Sequence, residues 1–562
     1  MPLNKQQEAA VLADGDLLVT AAPGSGKTTV IVHRGERLLK SEPGNLIAIS
    51  FTNDAAAQLK TRFNARIGST HSRRLLTSNF HRLCNFQDKH AKIDNQKKII
   101  SEHERYKLIK TIVSKRKNID FESALKSIDF LKSVLKPSLG NDDASIVYAE
   151  YQASLDKMNV LDYSDLLLNA VRNIHDGIIR PLPAKWMLVD EFQDIDEVQY
   201  ELIMCYHRNG TQITGVGDDD QSLYSFRHAL GFNGMMRFMQ ETNAQMVTLP
   251  VNYRSGPLII EKASCLISKN QSRVPKEMQS GNKIQCNIFV TDYSSDTEEA
   301  DEICKTIITS GSSFCEFAVL ARNNRQLDKI ETSLKSMNIP YSRTGEKFMD
   351  LAEPQAIISL LKSLVDNSTV GLRHTLMWMG VPDLILDSFV NDHHCNIESL
   401  YSHLPKDNPN KKAIKEFIEI YSQWLSLIEE GGKESLIIKG VASFFKRFCD
   451  EKKHRHFDSA AVILCRYRGT IKQRLGQLIN ENDKRSDGVS LMTIHASKGL
   501  EFDSVWLLGA NDLMMPGENR SEELLQEERR IFYVAITRAR ENLYISHTDT
   551  PSIFITEAKL CE

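Results

Sequence analysis

Apolar residues in this chain fall into short uninterrupted runs, and each run ends in a distinctive group of residues. Leu17-Leu18-Val19 reads as a buried parallel strand. A turn containing Gly24 and Gly26 comes next, then an amphipathic helical pattern from about Thr28 to Leu39. Trp186-Met187-Leu188-Val189 forms a second apolar strand and ends in two adjacent carboxylates, Asp190 and Glu191. Phe317–Ala321 and Val505–Gly509 repeat the strand pattern, whereas residues 411–428 carry helical periodicity. The alternation predicts an α/β protein with parallel sheets and flanking helices. No run approaches the roughly 18 apolar residues of a membrane span.

At 562 residues the chain is too long for one hydrophobic core, so several domains are expected. Hydrophobic residues at 41% and charged residues at 25% are an ordinary globular mix, which excludes a disordered or fibrous protein. The net charge of −3 argues mildly against a nucleic-acid binder, although a groove needs only local positive charge. The 10 cysteines include no C-x-x-C pair, so neither a disulfide framework nor a zinc or iron–sulfur site is expected. His393-His394-Cys395 lacks a fourth ligand and is not read as a metal site. The first residues carry no apolar leader, and the expectation is a soluble cytoplasmic protein without membrane association.

The segment DLLVTAAPGSGKTT, residues 16–29, has the strand, glycine turn and helix that a P-loop requires. Ala22, Gly24, Ser25, Gly26, Lys27, Thr28 and Thr29 are the candidate phosphate-binding residues. The two glycines let backbone N–H groups approach phosphates, Lys27 can reach the β- and γ-phosphates, and the Thr28 hydroxyl can bind Mg²⁺. Ala21 replaces the first glycine of the usual pattern and is small enough to fit. Asp190 is the second candidate Mg²⁺ ligand, and Glu191 is placed to deprotonate an attacking water. A nucleoside triphosphate and Mg²⁺ are therefore the expected substrate and cofactor, in a hydrolase rather than a passive binder.

Six further segments occur in order: residues 3–11, 50–57, 217–227 (GDDDQSLYSFR), 251–255 (VNYRS), 493–502 (TIHASKGLEF) and 527–539 (EERRIFYVAITRA). With the P-loop and DEFQD, this set resembles the ordered motifs of UvrD/Rep/PcrA-type helicases of superfamily 1. The resemblance implies two RecA-like P-loop domains, each with a mainly helical insertion. It assigns adenine reading to Gln7, base stacking to Tyr253, a sugar-region contact to Glu501 and γ-phosphate sensing to Gln221. It places Arg254 and Arg538 on the γ-phosphate, where a permanently charged planar fork suits developing transition-state charge. The family's DNA contacts map onto Phe51, Thr52, Thr77, His81, Tyr224, Phe226, Arg227, Thr493 and His495. Phe226 stands where the family usually carries Trp.

The motifs divide the chain into expected domains: 1–87 with 160–254 as the first RecA-like domain, 88–159 as its helical insertion, 255–365 with 488–562 as the second, and 366–487 as a reduced second insertion. Eight basic residues between Lys97 and Lys117, opposed locally by Glu102 and Glu104, are read either as a DNA-facing surface or as a solvated helix face. The resemblance implies an ATP-driven 3′-to-5′ translocase and helicase acting on single-stranded DNA and single/double-strand junctions, in repair, replication or defence against foreign DNA. The competing reading is a DNA-sensing ATPase subunit that activates a nuclease or repair partner without strong unwinding of its own.

Overall fold

The computed structural model describes residues 2–561 apart from 92–96, 115, 117, 224–227, 345–348, 350, 367–368, 382–410 and 484–487. His393, His394 and Cys395 lie outside the described residues. Among the described residues, no helix is long and apolar enough to cross a membrane. The chain divides into two compact units, residues 1–300, 320–326 and 497–562 in one and residues 301–319 and 327–496 in the other.

The first part of the first unit contains β1 (Leu17–Ala21), β2 (Leu46–Ile49), β3 (Leu75–Ser78), β4 (Lys98–Ile99), β5 (Val160–Leu161), β6 (Trp186–Asp190), β7 (Gln212–Gly217) and β8 (Gln245–Leu249). Six of these form one parallel sheet in the order β3-β2-β6-β7-β1-β8. Both faces are covered, which is why β1 and β2 are buried at every position. Val19 and Leu188 join Val30, Ile31 and Phe63 on one face, and Leu18, Met187 and Val189 join Leu83, Val171 and Ile203 on the other. Each such side chain contributes roughly 1.5–3 kcal/mol on full burial. Parallel pairing brings the carboxyl ends of β1, β6 and β7 to one edge, and β1 sits where the strand order reverses, the position at which open α/β sheets take ligands.

Helices Lys27–Ser41 and Asn53–Ser72 pack together on this sheet. Gly35 makes the approach possible: a Cβ there would lie 2.5 Å from Phe63 Cε1 and 3.2 Å from Leu188 Cδ1. The predicted helix of residues 28–39 thus falls inside Lys27–Ser41.

Between β3 and β6 the chain builds a small helical core from Glu102–Val113, Phe121–Lys132 and Asp143–Lys157, around Ile109, Ile128, Val147 and Tyr151. A parallel ladder, Lys98 opposite Val160, links the strands that flank it. Lys132 anchors it to the next helix through Asp162 at 2.7 Å and Asp165 at 2.8 Å, and the Tyr151 hydroxyl donates to Asp162 at 2.9 Å. The basic stretch of residues 97–117 is less cationic in three dimensions than along the sequence. Lys97 pairs with Asp156, Arg105 with Asp129, and Arg116 with Glu150 and Asp143. Acids from neighbouring helices, invisible to local charge counting, supply these partners.

The remaining strands are β9 (Val251–Asn252), β10 (Gln279–Ser280), β11 (Asn287–Asp292), β12 (Phe317–Ala321), β13 (Tyr341–Arg343), β14 (Val489–Thr493), β15 (Phe502–Leu507) and β16 (Ala539–His547). In the first unit, β16 pairs in parallel with both β11 and β15. β15 starts earlier than the apolar run 505–509 and stops before Gly509, whose positive φ of 62° turns the chain and lets its N–H donate to Glu299. In the second unit β13 pairs in parallel with β14, and a helical bundle packs around Phe417, Trp424, Phe444, Phe445 and Phe457. The predicted amphipathic segment 411–428 is the helix Lys411–Glu430 of that bundle.

Gly35→Ala should lower stability by about 1–3 kcal/mol despite alanine's better helix propensity, because the added methyl overpacks the Phe63 contact. Urea denaturation checks this, with Phe63→Leu expected to recover part of the loss in the double variant.

Candidate functional site

The glycine turn after β1 is clamped by groups from distant segments. Ala22 N–H donates to Leu249 O at 2.9 Å, Asn252 Nδ2 to Pro23 O at 2.6 Å, and Tyr253 N–H to Gly24 O at 3.0 Å. Gly24 and Gly26 have φ of 62° and 84°, which glycine adopts without strain. A Cβ on Gly24 would lie 2.6 Å from Arg254 Cβ, and one on Gly26 would lie 2.8 Å from Gln7 Nε2. Gly26 caps the helix Lys27–Ser41, whose first N–H groups have no partners within the helix. Thr28 is half-buried and Thr29 exposed on that first turn. The Ser25 hydroxyl is buried without a hydrogen-bond partner. A loop too tight for side chains, an orphaned hydroxyl and a helix N-terminus together fit a phosphate group.

Lys27 Nζ donates to Glu191 Oε2 at 3.0 Å. Burial opposes its charge, but Glu191, Asp218 and Asp190 outweigh burial and raise its pKa. Glu191 is held well below the usual carboxylate range: burial works against ionisation, and Lys27 and Lys498 overcome it. Burial and the neighbouring Glu191 charge push Asp190 upward. Glu191 sits at φ 52° and ψ 45°, a left-handed conformation costly for a residue with a side chain. That strain is retained where the chain leaves β6 and its carboxylate turns toward Lys27.

Further groups tie this pair to β7. Gln193 Nε2 donates to Glu191 at 2.7 Å, and Gln193 Oε1 accepts from the Asp218 N–H at 2.9 Å. Gln221 Nε2 donates to Asp218 at 2.5 Å, and its Oε1 accepts from Arg538 Nη2 at 3.0 Å. Lys498 Nζ donates to the Asp194 carboxylate and, at 2.7 Å, to the Gln221 carbonyl. Burial still pushes the Asp194 carboxyl up to about 6.

Arg538 is fully buried, and burial with the nearby Arg254 cation pulls it down to about 9. Its guanidinium is fixed by the carbonyls of Val534 at 2.9 Å and Leu500 at 3.2 Å. Arg254 donates instead to Glu501 at 2.6 Å. Gln7 donates through Nε2 to Ser25 O at 2.9 Å, while its Oε1 accepts from the Asn4 N–H at 3.0 Å. Tyr253 is exposed, and its hydroxyl accepts from Asn4 Nδ2 at 2.7 Å. All of these residues lie in the first unit.

The expected DNA contacts are less uniformly visible. Phe51 and Thr52 come directly after β2, where the Thr52 hydroxyl caps a helix by accepting from the Ala55 N–H at 3.1 Å. Thr77 lies on β3, and His81 stacks edge-on against Tyr163 at 5.6 Å. Burial lowers the His81 pKa, with Asp162 opposing. Thr493 and His495 close β14 in the second unit, where Thr493 accepts from the Ala496 N–H at 3.4 Å. Tyr224, Phe226 and Arg227 lie outside the described residues.

Sequence reasoning overlooked the groups that make this acidic edge tenable. Lys276 is fully buried against Asp218 at 2.7 Å, Asp219 at 2.5 Å and Asp220 at 3.0 Å. Arg273 forks onto Asp220 at 2.8 and 2.7 Å. Three consecutive aspartates after a buried strand were a signal that cations must arrive from elsewhere. Arg540, joined to Glu501 and Asp503, was likewise unassigned.

A strand–P-loop–helix unit, an acid pair ending another strand of the same sheet and two arginines from distant segments, Arg254 and Arg538, define an α/β P-loop protein of the helicase class. The chain belongs to the UvrD/Rep helicase family: the UvrD/REP helicase N-terminal domain matches residues 3–242, and the UvrD-like helicase C-terminal domain matches residues 247–377 and 390–550. Its fold class is accordingly two RecA-like P-loop domains, each with a mainly helical insertion. The chain is similar to the ATP-dependent DNA helicase PcrA of Staphylococcus epidermidis, 28% identical over 98% of this chain and 84% of the relative. It is similar to the ATP-dependent DNA helicase Rep of Buchnera aphidicola, 27% identical over 97% of this chain and 95% of the relative. PcrA of Staphylococcus aureus is 28% identical over 98% of this chain and 83% of the relative.

Lys276→Met should cost about 3–5 kcal/mol, because it strands buried carboxylates without their shared cation. Arg273→Met should cost less, since Lys276 still faces Asp220. Urea titrations of the two variants in parallel check the ordering.

Proposed function

We propose that this chain is an ATP-dependent DNA helicase that translocates 3′ to 5′ along single-stranded DNA, engages single/double-strand junctions, and hydrolyses ATP at the P-loop site. The observation that carries this reading is the placement of Arg254 against Gly24 of the P-loop and of Arg538 on Gln221, alongside the Lys27–Glu191 pair. The names of the relatives, ATP-dependent DNA helicases PcrA and Rep, agree with it. The direction of movement rests on family membership.

In this reading Ala22, Gly24, Ser25, Gly26, Lys27, Thr28 and Thr29 cradle the phosphates. Gln7 and Tyr253 address the base, and Glu501 the sugar region. Thr28 and Asp190 would hold Mg²⁺, which supplies charge neutralisation between the phosphate oxygens; the surplus of buried carboxylate around Asp190 fits a divalent cation. Lys27 leaves Glu191 for the phosphates, and the released carboxylate, still supported by Lys498 and the Gln193 hydrogen bond, accepts a proton from the attacking water. Arg538 and Arg254 stabilise the charge that develops on the transferred phosphoryl group, and Gln221 reports the state of the γ-phosphate through Arg538. Exchange of these contacts during each turnover drives the domain movement that advances the chain along DNA. Phe51, Thr52, Thr77, His81, Tyr224, Phe226, Arg227, Thr493 and His495 are the residues proposed to contact DNA, with aromatic faces stacking bases irrespective of sequence. Repair, replication or defence against foreign DNA, with a nuclease or repair protein as partner, are the settings consistent with such a motor.

Lys27→Ala should reduce ATP turnover by about 100-fold or more while leaving DNA binding measurable. Glu191→Gln should bind ATP yet hydrolyse it about 10²–10⁴-fold more slowly; wild-type turnover by either variant contradicts its assigned role.

Strand displacement should proceed from 3′-tailed and not 5′-tailed duplexes, with ATPase stimulated by single-stranded DNA. Stimulation without displacement would turn the reading to a DNA-sensing ATPase subunit, and no stimulation would overturn the motor.

A further inference from the structure

Glu501 lies between two arginines. Its Oε2 accepts from Arg254 Nε at 2.6 Å, and its Oε1 accepts from Arg540 Nη2. Arg540 also donates through Nη1 to Asp503 at 3.1 Å. Arg254 is mostly covered, whereas Glu501 and Arg540 are more than a third exposed.

The backbones carrying the two arginines are stitched together. Asn252 Oδ1 accepts from the N–H groups of Arg254 and Ser255, both at 2.8 Å. The Ser255 hydroxyl donates to Ala539 O at 2.6 Å, and the Gly256 N–H donates to Arg540 O at 2.9 Å. Arg254 can therefore change partners by rotating its side chain, with its backbone held. Beyond Glu501, Arg254 donates a long contact through Nη1 to the Thr537 carbonyl at 3.4 Å, whereas two carbonyls at 2.9 and 3.2 Å and Gln221 fix the Arg538 guanidinium.

Burial lowers the Arg538 pKa and the nearby Arg254 cation lowers it further, so the two guanidiniums disfavour one another. Glu501 relieves this repulsion when no phosphate is between them. Turning Arg254 toward a phosphate reverses the problem, since Glu501 would then be left with its charge uncompensated beside an incoming anion. Arg540 faces that same carboxylate and is itself held by Asp503.

We propose that Arg540 is a positioning residue for Arg254, which it controls through Glu501: it retains the Glu501 carboxylate when Arg254 turns to the nucleotide. This rests on the nucleotide-site reading above. Without Arg540, Glu501 binds Arg254 as its sole close cation and the turn becomes more costly. The loss falls on kcat, because the Arg254–phosphate contact strengthens as charge develops in the transition state.

The test is steady-state ATPase with saturating single-stranded DNA for wild type, Arg540→Met, Arg540→Lys, Glu501→Gln and the Glu501→Gln/Arg540→Met double variant. Arg540→Met should lower kcat by about fivefold, the upper end for a half-exposed ion pair, with a smaller change in KM for ATP. Arg540→Lys should recover most of that rate. In the Glu501→Gln background, Arg540→Met should have almost no further effect. Raising salt should shrink the Arg540→Met defect, which a packing role would not do. Equal losses in the two backgrounds, a salt-independent defect, or wild-type kinetics for Arg540→Met would each overturn the proposal. Wild-type turnover by Arg254→Ala would instead overturn the nucleotide-site reading on which it rests.

Discussion

The first unit depends on neutralising the carboxylates gathered at one edge of its parallel sheet. β6 and β7 are neighbours, so Asp190, Glu191 and Asp194 emerge beside Asp218, Asp219 and Asp220. Most of these groups are buried, and buried charge is tolerated only when paired and hydrogen-bonded. The cations come from separate parts of the chain: Lys27 after β1, Arg273 and Lys276 beyond β9, and Lys498 just before β15. Electrostatic neutralisation and assembly of the candidate site are therefore one event. A chain that had formed the sheet without these later segments would carry an edge of unpaired carboxylates.

This explains which features were readable from the sequence. The glycine turn, its strand and its helix are contiguous, and their chemistry is set by residue type and short spacing. The Asp190–Glu191 pair was equally plain, because an apolar run ending in two acids has few other meanings beside a P-loop. The partners of Asp218, Asp219 and Asp220 were hidden because Arg273 and Lys276 are more than fifty residues away and belong to none of the recognised segments. The acidic partners of the basic stretch 97–117 were hidden for the same reason, since Asp129, Asp143, Glu150 and Asp156 meet it only after the helices pack. Periodicity located β12 and the helix Lys411–Glu430 well. It misplaced the ends of β15, where Gly509 rather than hydrophobicity decides the stop.

The two arginines assigned to the same phosphate are held in different ways. Arg538 is locked among backbone carbonyls and Gln221, a preorganised donor that needs no reorganisation at the moment of reaction. Its burial also weakens its hold on its proton, so an incoming anion would stabilise a charge the surroundings disfavour. Arg254 rests on a carboxylate that an anion can replace. A fixed donor supplies stabilisation, while an exchangeable one supplies a difference between nucleotide-free and nucleotide-bound states.

That difference is what a motor requires, because a ligand shifts a conformational equilibrium only as far as its contacts differ between states. Three resting contacts have this exchangeable character: Lys27 with Glu191, Gln7 with the Ser25 carbonyl, and Arg254 with Glu501. In each, at least one partner is a group that the proposed nucleotide would engage. In the proposed reading, binding would replace protein–protein contacts with protein–nucleotide contacts of similar kind, so the net affinity would be smaller than their sum. The remaining free energy would go into rearranging the segments that carry these groups. Loss of the γ-phosphate would reverse the exchange, since Lys27 and Arg254 have carboxylates at hand once the anion leaves. Resting ion pairs of this kind would make release as well as binding energetically accessible, which a site preorganised throughout for tight nucleotide binding would not do.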